Sequence, residues 1–226
     1  LSPFATGLLG GSFDPVHLGH LVMAQIALGS VGMGEVWFMP AARPPHKSDR
    51  ALSDSHHRHA MLSLATLEQP RFRVSIEELA RSGRSYTVDT LKRLRRAPGI
   101  RRRWCFLAGA DAFAEIGTWR RPRAILDLAE FVVFPRNGIG FADLRRRLPV
   151  WVAERLVEHS ASDPRLPGSM NGRPGVHWVP IEVPAVSSTE VRRRARRGED
   201  LTSLVPALVA HYIERYGLYR ARRGAA

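Results

Sequence analysis

The stretch Leu8 to Leu21, "LLGGSFDPVHLGHL", decides the fold. An apolar run passes into two glycines, an Asp-Pro pair and two histidines three residues apart. Ala5–Gly10 reads as a strand, and His17–Gly29 reads as a helix with Leu18, Leu21, Val22 and Ile26 at helical spacing. Gly10 and Gly11 thus fall at the carboxyl end of a strand, where open α/β sheets bind their ligands. Without a Cβ they let a phosphate approach the backbone. Pro15 suits a first helical turn, whose unpaired N–H groups and dipole favour an anion. His17 and His20 share one face close to that helix start. The bland alternative is a glycine turn with two incidental surface histidines, and the glycines together with Asp14-Pro15 argue against it.

Outward from this stretch, strands and helices alternate. Glu35–Met39 reads as a second strand, followed by a polar loop and a helix capped by Ser53 with Ala60, Met61, Leu64 and Leu67 on its apolar side. Phe72–Ser75 is a short strand, and "SYTVDTLKRLRR" a helix that buries Val88, Leu91 and Leu94. Trp104–Gly109, "WCFLAG", is a continuous apolar run of the kind expected for a strand covered on both faces. A helix around Arg123–Leu128 leads to a strand at Glu130–Phe134. Ala142–His159 is expected to be helical, interrupted near Pro149, and "VHWVPIEV" is the last strand. Helices at Ser187–Arg197 and about Val205–Arg215 close the chain. The expectation is an α/β fold: a Rossmann-like parallel sheet with helices on both faces and a small helical C-terminal part over 186–226. No repeat or long linker divides the 226 residues, so a single domain over 1–226 is expected.

Composition removes several function classes. No run approaches the roughly 20 apolar residues that cross a bilayer. The N-terminus lacks the basic start of a secretory signal. The lone cysteine, Cys105, excludes an internal disulfide and suits a reducing compartment, so a cytoplasmic setting is expected. A net charge of +13 invites nucleic acid. Yet the positive charge is almost all arginine spread along helical segments (Arg93, Arg95, Arg96; Arg145 to Arg147; Arg192 to Arg194), with no interleaved aromatics to stack on bases. Attraction of a small polyanion explains the charge better than nucleic acid does. A homo-oligomer remains open.

The spacing of the glycines and histidines excludes other chemistries. The chain has no G-x-G-x-x-G dinucleotide fingerprint and no G-x-x-x-x-G-K-[ST] P-loop. "HLGH" lacks the glutamate and spacing of a zinc hydrolase. His56, His57 and His59 have no nearby acid to complete a metal site and read as solvated.

"GGSFDPVHLGH" resembles the first signature of the H-x-G-H nucleotidyltransferase superfamily, which includes nucleotide adenylyltransferases and, more distantly, class I aminoacyl-tRNA synthetases. "VSSTEVRRR" at Val186–Arg194 resembles the second signature. A synthetase would be larger and would need a tRNA-binding domain. "PPHK" at Pro44–Lys47, "SYTVDTL" at Ser85–Leu91 and "GADAF" at Gly109–Phe113 with Trp119 are similar to the bacterial nicotinate-mononucleotide adenylyltransferases. Pantetheine-phosphate adenylyltransferase is similar in the first motif, but typically carries T-x-G-H there and is shorter. The one departure is Ser12, where the family more often has threonine.

The resemblance implies transfer of AMP from ATP to nicotinate mononucleotide, giving nicotinate adenine dinucleotide and pyrophosphate in NAD biosynthesis. It implies that Gly10, Gly11, Ser12, Phe13, His17, His20, Gly109, Asp111, Ser187, Ser188, Thr189 and Arg192 face ATP, with His20 the stronger transition-state candidate. Asp111 is expected on a ribose hydroxyl or near the metal, with a helix cap as its plainer role. Ser187 and Glu190 also have the spacing of a capping box, which is compatible with receiving phosphate. Lys47 is assigned to the acceptor's phosphate or the reacting phosphorus, and His17, His20, Lys47 and Arg192 form the catalytic set. Ser85, Tyr86, Thr87 and Trp119 are expected to hold the acceptor, the indole stacking on the pyridine ring. Mg²⁺ is implied with ATP, held mainly by phosphates and water, with no protein metal ligands named. Two alternatives stand beside this reading. One is a related transferase using nicotinamide mononucleotide or phosphopantetheine, the other a non-catalytic nucleotide- or nucleic-acid-binding protein.

Overall fold

A computed structural model describes residues 5–44, 52–97, 103–166 and 174–220. The chain runs β1 (Thr6–Gly11), α1 (Leu18–Gly29), β2 (Glu35–Pro40), α2 (Ser55–Thr66), β3 (Phe72–Val74), α3 (Thr87–Arg96) and β4 (Trp104–Gly109). It continues with α4 (Ala110–Phe113), a 3-10 turn at Ile116–Thr118, α5 (Pro122–Leu128), β5 (Glu130–Phe134), α6 (Phe141–Arg147) and α7 (Val150–Ala153). β6 (Leu156–Glu158), β7 (Val176–Trp178), α8 (Ser188–Arg197) and α9 (Ala207–Arg215) complete it.

The strands form one sheet in the order β3-β2-β1-β4-β5-β7-β6, with every neighbouring pair parallel. Because side chains alternate across a strand, the apolar runs supply both faces at once. Leu9, Cys105, Leu107, Val132 and Phe134 point into a core shared with α1, α2, α8 and α9. Leu8, Trp104, Ala108, Phe131 and Val133 point into a second core under α3, α5, α6 and α7. The expected α/β sheet with helices on both faces is therefore found. The order reverses between β1 and β4, which opens a crevice at their carboxyl ends.

Several boundaries differ from expectation. The helix expected over Ala142–His159 is broken: α6 ends at Arg147, Pro149 caps the single turn of α7, and Leu156–Glu158 is β6. A three-residue edge strand is too short to show an alternating pattern, and its pairing with β7 decides its conformation. Only Val176–Trp178 of "VHWVPIEV" joins the ladder, in keeping with prolines at 180 and 184 that have no N–H to give. Asp54, not Ser53, caps α2 by accepting from the His56 N–H at 2.8 Å. His57 is not free in solvent, since its Nδ1 meets the Tyr212 hydroxyl on α9 at 2.9 Å.

Candidate active site

A cavity of about 550 Å³ lies in the crevice between β1 and β4. Its floor is the strand ends Gly10, Gly11 and Gly109 with Ser12 and His20, and Arg136 closes one side. The other end is walled by Ser85, Tyr86 and Thr87 at the start of α3 and by Trp119 and Arg120. Sequence reading assigned these two ends to different substrates, and the structure brings them into one enclosure. Lys47 lies outside the described residues.

The first signature is built on the turn from β1 to α1. His17 is the N-cap of α1 rather than its first residue, and His20 stands one turn in. The two imidazoles stack with centroids 3.7 Å apart. The His17 N–H donates to His20 Nδ1 at 3.3 Å, which leaves the His20 proton on Nε2 as the ring's remaining donor. His17 is buried behind His20 and does not line the cavity, and its Nδ1 has no hydrogen-bond partner among the described residues. Burial, helped by the positive charge of Arg136, pushes the His17 pKa down to about 3. Burial, then His17 and Arg136, holds His20 well below its ordinary value too. Both rings are therefore neutral at physiological pH, and His20, which lines the cavity, presents its Nε2–H to negative charge there.

Phe13 departs from its expected place against ATP. At 1% exposure it belongs to the core, where its ring meets His20 edge-on at 4.9 Å and so braces that imidazole from behind. Gly10 also has a second reason to be glycine, because a Cβ there would come 2.9 Å from the Phe106 ring.

The second signature docks on the first. Ser188, the first residue of α8, donates from its hydroxyl to the Pro15 carbonyl at 2.9 Å. Arg192, one turn on, donates from Nη1 to the Asp14 carbonyl at 2.7 Å and from Nη2 to Thr189 Oγ1 at 3.3 Å. Ser187 caps α8, accepting from the Glu190 N–H at 3.2 Å. Glu190 does not complete a capping box. Its carboxylate is held by Arg193 and Arg194, which keep its pKa down at about 2. None of Ser187, Ser188, Thr189 and Arg192 lines the enclosed cavity; they are joined to the turn that forms its floor. The turn is fastened from below as well. The buried Asp14 carboxylate accepts from the Tyr219 hydroxyl at 2.8 Å and from the Ser53 N–H at 3.3 Å.

Asp111 lies in the first turn of α4 and does not cap it, since Gly109 is the N-cap. One oxygen accepts from the Ala112 N–H at 2.9 Å and the other from Asn137 Nδ2 at 2.8 Å, with Arg136 at 3.9 Å, and it does not line the cavity. Among the described residues no three His, Cys, Asp or Glu side chains converge in a way that holds a metal.

Three cavity residues escaped the sequence reading. Arg136 follows β5, donates to the Val186 carbonyl at 2.8 Å, and has a buried Nε without a partner among the described residues. Its position just past a strand end was the available signal. Glu78 is buried against the cavity, accepts from Thr90 Oγ1 at 2.6 Å, and has its pKa raised by burial. Arg120 lays its guanidinium over the Tyr86 ring at 4.5 Å.

A family model described as cytidylyltransferase-like matches residues 8–194, from β1 into α8. A protein of Moorella thermoacetica named "Probable nicotinate-nucleotide adenylyltransferase" is 38% identical over 97% of this chain and 94% of its own length. A protein of the same name from Aeromonas salmonicida is 40% identical over 95% and 97%. Among solved structures, the nicotinic acid mononucleotide adenylyltransferase of Plasmodium falciparum complexed with NaAD superposes with a TM-score of 0.70. At 20% identity over 96% of this chain and 97% of that one, it shares the fold. The chain belongs to the cytidylyltransferase-like family, within its nicotinate-nucleotide adenylyltransferase branch.

Proposed function

We propose that this chain transfers AMP from ATP to nicotinate mononucleotide, releasing pyrophosphate and forming nicotinate adenine dinucleotide. The observation that carries this reading is the docking of α8 onto the Asp14–Pro15 turn through Ser188 and Arg192, which joins both signatures beside one cavity. The relatives named above support the choice of nicotinate nucleotide.

The chemistry asks little of a general base. The attacking mononucleotide phosphate is already anionic, and the α-phosphorus is approached in line with departing pyrophosphate. The protein has to hold two repelling anions in register and meet the charge that develops between them. Gly10, Gly11, Ser12 and Gly109 form the nucleotide side of the floor. His20 offers its Nε2–H to the reacting phosphate, and His17 supports it from behind. Ser187, Ser188, Thr189 and Arg192 receive the outer phosphates at the α8 N-terminus, with Arg136 beside them. Asp111 acts through Arg136 and Asn137. No side chain is assigned to Mg²⁺, which would be held mainly by the triphosphate and water and would supply neutralisation of phosphate charge.

At the other end Trp119 and Tyr86 flank the pyridine ring, and Ser85, Thr87 and the first N–H groups of α3 take its carboxylate. Lys47 remains assigned to the acceptor phosphate or the reacting α-phosphate. The same reading takes residues 1–226 as one nucleotidyltransferase domain in the cytoplasm. Among the described residues no helix is long and apolar enough to cross a membrane.

Incubation with ATP, Mg²⁺ and either nicotinate mononucleotide, nicotinamide mononucleotide or phosphopantetheine tests the reading. The acid should give dinucleotide and pyrophosphate with the highest kcat/KM of the three. Absence of pyrophosphate with every acceptor overturns it, and a faster reaction with another acceptor reassigns the substrate.

A further inference from the structure

Arg58 on α2 is 1% exposed, a burial that arginine tolerates only when its donors and charge are met. Every bond it makes goes to a main-chain carbonyl. Nε donates to Ser53 at 3.1 Å, Nη1 to Ser12 and to Ala41 at 2.7 Å each, and Nη2 to Ala42 at 3.3 Å. Among the described residues no carboxylate chelates it; burial lowers its pKa, and Asp14 is the foremost charge opposing that through space.

The acceptors belong to three separate segments. Ser12 lies in the turn that leads to His17 and His20. Ala41 and Ala42 follow β2, and Ser53 precedes α2. Ser12 and Ala41 both line the cavity. The Ala42 N–H in turn donates to Ser85 Oγ at 3.0 Å, and the Ser85 N–H donates to the Arg43 carbonyl at 2.9 Å. One guanidinium thus spans the nucleotide side of the floor and the segment that holds the α3 end.

We propose that Arg58 is a positioning residue for the transfer, fixing the Ser12 turn relative to the Ala41–Ala42 wall and so the spacing of the two substrates. This rests on the adenylyl-transfer reading above. Two anions that repel are not brought to reacting distance by binding each one well. The spacing has to be set by the protein, and a displacement of about 1 Å lowers a rate by about 100-fold. Lysine cannot substitute, since a single ammonium does not span carbonyls on three segments.

The test is Arg58→Lys, followed by calorimetric titration with ATP alone and by steady-state kinetics with both substrates. The expected result is one ATP bound per chain with little change in Kd or in either KM, and a kcat lowered about 10- to 100-fold. A kcat per ATP-binding chain close to that of the parent overturns the proposal, as does a loss of kcat that follows lost binding stoichiometry. Arg58→Ala supplemented with guanidinium ion is the second arm. Guanidinium should raise its kcat per ATP-binding chain, ammonium at equal ionic strength should not, and the parent should respond to neither. Failure of rescue in folded Arg58→Ala overturns the proposal, and failure of both variants to fold overturns it in favour of a folding role. A parent that makes no dinucleotide removes the underlying reading and the proposal with it, whereas an active parent with an unimpaired lysine variant removes the proposal alone.

Discussion

Arg192 donates from Nη1 to the carbonyl oxygen of Asp14 at 2.7 Å across 178 residues of sequence. The same guanidinium that would receive a phosphate therefore also braces the turn carrying His17 and His20. Arg192→Lys retains the charge and loses the fork, and kcat/KM should fall about 10- to 100-fold with little change in melting temperature. Steady-state kinetics beside a thermal melt checks this. Equal activity in the lysine variant would show that charge alone suffices.

His20→Ala removes the one imidazole that lines the cavity among the described residues. We expect kcat to fall by about 100-fold or more with the far-ultraviolet circular dichroism unchanged. Nucleic-acid binding as the main activity predicts instead a steeply salt-dependent affinity that survives the substitution. Single-turnover kinetics and a salt titration on the same preparation separate the two.

Stability should depend on pH through the same pair. His17 and His20 have folded pKa values below the ordinary 6.5, His17 at about 3. Above pH 6.5 both rings are neutral in the folded and unfolded chain, and nothing is lost. Below it the unfolded chain binds protons that the folded chain refuses, so stability falls as pH drops from 6.5 towards 3. The fall should be on the order of a few kcal/mol, measured by urea melts at several pH values. His17→Gln should flatten the curve over that window, and an unchanged slope would remove His17 as its source.

Gly19, the glycine of "HLGH", packs beneath the second signature. A Cβ there would come 2.9 Å from the Pro184 carbonyl oxygen and 3.2 Å from the His17 ring. A backbone oxygen yields little, so Gly19→Ala should destabilise the fold by about 2 kcal/mol and displace His17. Chemical denaturation measures the first effect and kcat the second.

Trp119 lines the cavity and meets the Phe106 ring edge-on at 5.8 Å. Trp119→Ala should raise the acceptor's KM about 10-fold or more while sparing the KM for ATP, and Trp119→Phe should recover part of the loss. A matching rise in both KM values would make Trp119 a packing residue.

The sheet was legible wherever a strand is covered on both faces, because β2, β4 and β5 carry apolar side chains at nearly every position and β1 carries Leu8 and Leu9 between glycines. β6 was not, since three edge residues have no period to read and take their conformation from β7. The histidine turn was legible because its chemistry is local: glycines, a helix start and both imidazoles lie within a dozen residues. Arg136, Glu78 and Arg58 were not. In a chain with 34 lysines and arginines, nothing local marks Arg58 as different and only a place just past a strand end marks Arg136; tertiary placement sets Arg136 on the cavity wall and Arg58 on the carbonyls of Ser12 and Ala41, which line it. Phe13 shows the converse, a residue inside a legible motif whose side chain serves the core.

The contacts made by Asp14 and Pro15 also bear on how the enzyme comes into being on the ribosome. These residues are synthesised before Ser188, Arg192 and Tyr219, which fasten them. A nascent chain holding the whole sheet still lacks the brace of its histidine turn. Fragments ending before α8 therefore carry the first signature without the contacts from Ser188, Arg192 and Tyr219 that fasten it.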